Sequence, residues 1–274
     1  MPPLVSIVTL FHKKSYAEEA LRCVNSLRSQ TIADQIEIIA VNNASPDISD
    51  EELVQMFQPN EKLKLVHAKG NLGYGRANNL GAREATGEFV MIINPDNRLD
   101  PNALELMVQY LNEHADTGLV GAKLVFPDGT VRDSYRTFPN PFDLIIKRTP
   151  LKYIFKKRLR AYLQWDQDPN QTREVAWVSG ACVLMKRSLF EELGGFDERY
   201  FLFLEDCDLC RRVWEKNLKI VYLAEAVAHD QKDRLSAGGV LSFFTKKTVR
   251  IHVVSAIKYF WKWKGKGSPR KNVH

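Results

Sequence analysis

Over its first hundred residues the chain alternates short apolar runs with segments of helical periodicity, and that alternation restricts the fold more than any other feature. Residues 4–10 and 36–41 are buried-strand patterns, and between them Ala20, Leu21, Val24 and Leu27 recur at helical spacing. A further strand is predicted at 63–68. It leads through Asn71-Leu72-Gly73-Tyr74-Gly75 into a helix reaching Arg83, and another strand at 88–93 ends at Asn94-Pro95-Asp96. Such β-α-β repetition predicts a mainly parallel sheet with helices on both faces, whose ligands bind beyond the carboxyl ends of the strands. Asn42, Asn43 and Asp96 all fall at such ends.

The rest of the chain is less regular. A helix is expected near 101–111, a strand near 119–126 and a turn at Pro127-Asp128-Gly129. Residues 133–172 surround a basic stretch and read either as a mobile insertion over a site or as a solvated basic face. One strand is expected over 175–185, then a helix from Ser188, a turn at Gly194-Gly195 and a strand over 220–228.

Charge is unevenly spread. Residues 241–274 hold nine Lys and Arg and no Asp or Glu, so the net charge of +6 less those nine leaves the preceding 240 residues at −3. Basicity is therefore a property of the tail, which points to an anionic surface near it rather than to a body that binds nucleic acid. On a helical projection Val249, Val253, Ala256, Phe260 and Trp263 share one face, with Lys247, Lys258 and Lys262 opposite. That pattern suits a helix lying in an anionic membrane interface, or one docking on its own core. These considerations divide the chain into a body, 1–232, and a basic extension, 233–274. No apolar run approaches a membrane span, and with no leader pattern at the N-terminus the expected location is cytoplasmic. Four cysteines, irregularly spaced, are expected to be reduced.

Two constellations carry chemistry. Asp96 follows an apolar strand, where a hard oxygen ligand holds Mg²⁺ or Mn²⁺ against a pyrophosphate; the bland alternative is a strand-ending turn. Glu205-Asp206-Cys207-Asp208 sets three carboxylates at the start of a helical pattern. There they either favour the helix dipole or include a general base. Cys207 and Cys210 lack a second pair for zinc and are expected to pack into the helix. Gly73 and Gly75 suggest a dinucleotide fingerprint, but Asn78 stands at its third glycine.

Taken in order, the pieces resemble glycosyltransferase family 2 over roughly residues 5–229. They are Val5-Ser6-Ile7-Val8-Thr9, Val41-Asn42-Asn43-Ala44-Ser45, Asn71-Leu72-Gly73 through Asn78-Asn79, Asn94-Pro95-Asp96, Gly180-Ala181, Gly194-Gly195-Phe196-Asp197-Glu198, and Glu205 to Leu209 with Arg212. Arg136-Thr137-Phe138-Pro139, with Phe243-Phe244 before the basic tail, resembles bacterial rhamnosyltransferases of surface-polysaccharide synthesis. The resemblance implies an α/β GT-A fold and inverting transfer from a dTDP- or UDP-sugar to a polyprenyl-diphosphate-linked saccharide at the inner face of the cell membrane. It implies Asp206 as general base with Glu205 in support, and Asp96 as metal ligand with His229 as a further one. Thr9, Asn43, Asn71, Gly73 and Asn78 would line the nucleotide pocket, Asn42 would help hold the base, and Asn94 would adjoin the metal. Asn42 stands where the family usually has Asp, and Asn94 replaces the acidic first residue of many GT-A metal motifs. A noncatalytic sugar-nucleotide-binding protein is the competing reading, and it has no need of Asp96 and Asp206 together. The oligomeric state is left open, a homodimer included.

Overall fold

The computed structural model describes residues 2–231, 247–267 and 269. Its elements begin with β1 (Val5–Phe11), α1 (Lys14–Arg28), β2 (Ile36–Asn42), α2 (Asp50–Phe57), β3 (Leu63–His67), α3 (Tyr74–Ala82) and β4 (Phe89–Ile93). They continue through β5 (Arg98–Leu99), α4 (Ala103–Glu113), β6 (Thr117–Val125) and β7 (Tyr135–Arg136) to three short helices, α5 (Pro141–Arg148), α6 (Leu151–Ile154) and α7 (Lys156–Leu163). After these come β8 (Arg173–Glu174), β9 (Trp177–Val178), β10 (Cys182–Lys186), α8 (Arg187–Glu192), α9 (Glu205–Glu215), β11 (Lys219–His229) and α10 (Lys247–Lys262).

The main sheet has the order β3-β2-β1-β4-β10-β6-β11-β5, with β8 attached to β11. β3, β2, β1 and β4 are parallel, as the β-α-β pattern requires. β10 breaks the run by pairing antiparallel with both β4 and β6, and β6 and β11 are again parallel. Strand alternation divides the core. Val5, Ile7 and Phe11 of β1 face α1 and α4 side chains such as Cys23, Leu27 and Met107, whereas Val8 and Leu10 face the layer holding Phe190, Phe196 and Cys207. All four cysteines are free and buried, as expected of reduced thiols.

The single strand expected over 175–185 is instead two. β9 leaves the main sheet to pair with β7, and β10 begins after Gly180. The break has a hydrogen-bonding cause: the Ser179 amide donates to the Ser134 carbonyl at 2.6 Å and the Gly180 amide to the Asp206 carboxylate at 3.1 Å. Both are thereby taken out of a continuous ladder.

The basic segment folds as α5–α7 around a small core of its own, Ile146, Leu159, Tyr162 and Leu163. Asn140 and Asp143 form a reciprocal cap at the start of α5, with Pro141 in its first turn.

The extension docks on the body. α10 buries Val249, Ser255 and Tyr259, and Tyr259 with Trp263, just past the helix, joins the layer that contains Cys207 and Phe196. Lys262 does not join an exposed basic face. Its ammonium is drawn inward to Asp197 at 2.6 Å and Asp208 at 2.7 Å. Asp208, 0% exposed, also accepts from Arg212 at 2.8 Å and Trp263 Nε1 at 2.9 Å. No described helix is long and apolar enough to cross a membrane.

Asp208→Asn leaves these cations without their buried counter-charge. We expect a loss of about 3–5 kcal/mol in urea unfolding, and an unchanged midpoint would show that the carboxylate does not anchor α10.

Candidate active site

The carboxyl ends of β1, β2 and β4 open on one edge of the sheet, and because β10 runs the other way its leading residues, Gly180 and Ala181, reach the same edge. Strand order changes direction here. From β1 the chain builds outward to β2 and β3, then returns to lay β4 on the other flank, the usual position for a ligand crevice. A cleft of about 1490 Å³ lies at this edge, roofed by α5, α6 and the first turn of α10.

One wall is an interlocked asparagine loop. Asn43 donates from Nδ2 to the Gly73 carbonyl at 3.2 Å and to Asn71 Oδ1 at 3.3 Å, and its Oδ1 accepts from the Leu72 amide at 2.8 Å. Asn71 Oδ1 also accepts from the Gly73 amide. Gly73 has φ +79°, and a Cβ there would meet the Phe201 carbonyl oxygen at 2.0 Å, so only glycine fits. Asn43, Asn71, Gly73, Asn94 and Asp96 line the cleft. Thr9, Asn42, Asn78 and His229 do not. Thr9 is fully buried beside Cys23. Asn42 accepts from the Ser45 amide, closing the turn after β2, and Asn78 donates to the Tyr74 carbonyl within α3.

Asp96 Oδ1 is buried without a hydrogen-bond partner among the described residues. Burial, and next the charge of Asp230, raise its carboxyl to about 6. An unsatisfied hard oxygen in such a position suits a divalent cation. His229 lies elsewhere, its Nε2 2.8 Å from Asp100 Oδ1. No group of three His, Cys, Asp or Glu suited to a metal occurs among the described residues. The donor set therefore fits a cation held by one carboxylate, water and a diphosphate, as Mg²⁺ commonly is, and does not fit an all-protein cage.

Across the cleft stand Glu205 and Asp206, opening α9. Asp206 accepts from the Gly180 amide at 3.1 Å and the Cys207 amide at 2.8 Å. Burial raises its carboxyl, while these two amides and the Arg136 guanidinium pull it back down. Glu205 is raised by burial and then by the charge of Asp206, and its Oε2 has no partner among the described residues. A proton shared by the pair therefore rests on Glu205, leaving Asp206 ionised. The backbone leading into them is strained: Phe203 and Leu204, neither a glycine, sit at φ +72° and +69°.

Tyr74 joins the two acidic groups. Its hydroxyl lies 2.7 Å from the Gly180 carbonyl and 3.1 Å from Asn94 Oδ1. Burial, then the charges of Glu205, Asp206 and Asp96, push that hydroxyl well up, so it remains a neutral donor. No role for Tyr74 or Asp230 is suggested by the sequence. Tyr74 reads as one more loop residue, and Asp230 acquires its setting from pairing with Arg132, 98 residues earlier in the chain.

The family model described as Glycosyl transferase family 2 matches residues 6–194. The N-acetylglucosaminyl-diphospho-decaprenol L-rhamnosyltransferase of Mycobacterium tuberculosis is 30% identical over 207 residues, covering 70% of this chain. The O-antigen biosynthesis protein RfbC of Myxococcus xanthus is 29% identical over 241 residues, covering 85% of this chain. The matched region is 65% of the mycobacterial protein's length and 18% of the myxococcal one. Among solved structures, GalNAc-T7 with UDP, GalNAc and Mn²⁺ matches with a TM-score of 0.62 at 16% identity, over 91% of this chain and 47% of that one. Staphylococcus aureus TarS with UDP matches with a TM-score of 0.56 at 16% identity, over 93% and 65%. The mixed, largely parallel sheet with its cleft is thus a GT-A fold, and the chain belongs to glycosyltransferase family 2.

Proposed function

We propose that the chain transfers a sugar, L-rhamnose from dTDP-rhamnose, onto a hydroxyl of a saccharide carried on a polyprenyl diphosphate, with inversion at the anomeric carbon. The observation that carries this reading is the Asp206 carboxylate, fixed by two backbone amides in the same cleft as the orphaned Asp96 oxygen. The sugar and the carrier are inferred from the mycobacterial relative's name.

In this mechanism Asp206 takes the proton from the acceptor hydroxyl as it attacks the anomeric carbon from the face opposite the departing nucleotide. Glu205 keeps its proton and so does not repel the incoming oxygen. Tyr74 donates across the gap between the acidic groups. A divalent cation held through Asp96 would neutralise charge on the departing nucleoside diphosphate. The Asn43–Asn71–Gly73 loop offers a rigid rim for the nucleotide, with Asn42, where the family usually has Asp, behind it.

The reading includes residence at an anionic membrane surface. The outer side of α10 exposes Val254, Ile257 and Trp261 near Arg250 and, just past the helix, Lys264, a composition suited to the lipid interface. Trp261→Ala should weaken sedimentation with phosphatidylglycerol vesicles severalfold while leaving the melting temperature unchanged. Equal sedimentation of both proteins would remove this part of the reading.

Two substitutions separate base from metal ligand. Asp206→Asn is expected to lower turnover at least about a hundredfold while retaining thermal stabilisation by dTDP or UDP with Mn²⁺. Asp96→Asn is expected to lose that stabilisation. Full turnover by the first variant would eliminate Asp206 as base.

The pH dependence follows from the acidic pair. The active form is ionised at Asp206, so kcat/KM rises with pH along a limb displaced above the ordinary carboxylate range. Glu205 is raised in the folded state. Folding therefore takes up a proton, and its contribution to stability declines as pH climbs from the unfolded carboxylate's value to the folded one. Glu205→Gln, neutral like the protonated side chain it replaces, should leave the activity limb in place and gain stability over the parent increasingly as pH rises. An activity limb displaced downward by the substitution would contradict the assignment of the proton to Glu205.

A further inference from the structure

The roof of the cleft carries an unexplained concentration of positive charge. Arg136 ends β7, Lys147 and Arg148 end α5, and Lys247 begins α10; all four line the cleft. His252 records how near three of them are, since burial and then the charges of Arg148, Lys147 and Arg136 lower its imidazole to about 3. Neither Arg136 nor Arg148 forms an ion pair with a carboxylate among the described residues. Arg148 Nη1 and Arg136 Nε are buried with no hydrogen-bond partner there. Two guanidinium groups with idle buried donors, lining one cleft with two lysines, are donors available to an anion that enters it. Guanidinium forks are well matched to phosphate oxygens.

The setting indicates which anion. The asparagine loop and Asp96 lie along the ends of β2 and β4, whereas Lys147 and Arg148 hang from α5 and Lys247 from α10, and Arg136 of β7 is near Asp206. The acceptor must approach Asp206. Beside the cations α6 and its neighbours leave Ile145, Tyr153 and Ile154 exposed, each at least half open to solvent. A cationic pocket with an apolar rim suits a ligand that is anionic at one end and hydrocarbon at the other. We propose that Arg136, Arg148, Lys147 and Lys247 bind the diphosphate of an isoprenoid diphosphate acceptor, whose chain leaves across Tyr153 and Ile154. This rests on the acceptor reading given above and adds the residues that hold its carrier.

The test is calorimetric titration of farnesyl diphosphate, farnesol and inorganic pyrophosphate into the protein with UDP and Mn²⁺ already present. Farnesyl diphosphate is expected to bind well above the other two. Arg148→Met should weaken it at least about tenfold, with unchanged melting temperature and UDP affinity, and Arg148→Lys should recover most of the loss. The proposal is overturned if Arg148→Met binds like the parent, if UDP displaces farnesyl diphosphate, or if pyrophosphate binds equally well. Displacement by UDP would mean that the cations hold the donor's phosphates instead. Transfer to a lipid-linked acceptor that is indifferent to Arg148→Met would defeat this subsite alone. Arg148-dependent binding with sugar transferred only to free saccharides would defeat the acceptor reading alone.

Discussion

A fully buried carboxylate, Asp208, joins two pieces on which the site depends, α9 and the extension. It belongs to α9, and it takes hydrogen bonds from Arg212 on the same helix and from Lys262 and Trp263 at the end of the extension. A buried anion without partners is strongly unfavourable, so those groups have few alternative arrangements. Fixing α10 in turn fixes the loop before α9. Ser255 donates to the Leu202 carbonyl and Lys258 to the Arg199 carbonyl, while the Tyr74 amide holds the Phe201 carbonyl from the other side. Phe203 and Leu204 keep their left-handed backbone because this surround leaves no room to relax. They deliver Glu205 and Asp206 into the cleft. The extension is therefore part of the support for the acidic pair, whatever its outer face touches.

Three carboxylates within four residues thus come to have different chemistry. Asp208 is neutralised by cations and anchors. Asp206 is stabilised as an anion by two amides and Arg136. Glu205 is buried beside that anion and keeps its proton. Residue type and helix position hardly distinguish them; their surroundings do.

The sequence conveys well what arises from local pattern. β1 to β4 lie within a residue or two of expectation, and α1 and α3 fall where helical spacing indicates, because continuous apolar runs and helical spacing act over short distances, whereas the short α2 is not foreseen. The break at Gly180 escapes such reading because its cause is the Asp206 carboxylate, 26 residues away. Lys262 misleads for a related reason. A helical projection treats lysine as solvent-seeking and has no knowledge of Asp197 and Asp208 waiting beneath it. Within the site, Asn43, Asn71, Gly73, Asn94, Asp96, Glu205 and Asp206 converge on one cleft, while Thr9, Asn42 and Asn78 support its frame from behind. A motif marks a stretch of chain near a ligand, but strand alternation decides which of its side chains face that ligand.

Arg136 links the two electrical halves of the cleft. Its guanidinium lies close enough to Asp206 to favour the carboxylate's charged form, and close enough to His252 to disfavour the imidazole's. One fixed cation therefore adds to the amides that favour the charged base, and to the burial and neighbouring cations that keep the histidine neutral. The positive charge of the roof resides on arginines and lysines, and His252, its imidazole lowered, adds nothing to it. Titration in the cleft is left to the carboxylates on its floor. A buried carboxylate with no such field would take up a proton and cease to be a base, so the cationic roof and the acidic floor are two parts of one electrostatic arrangement.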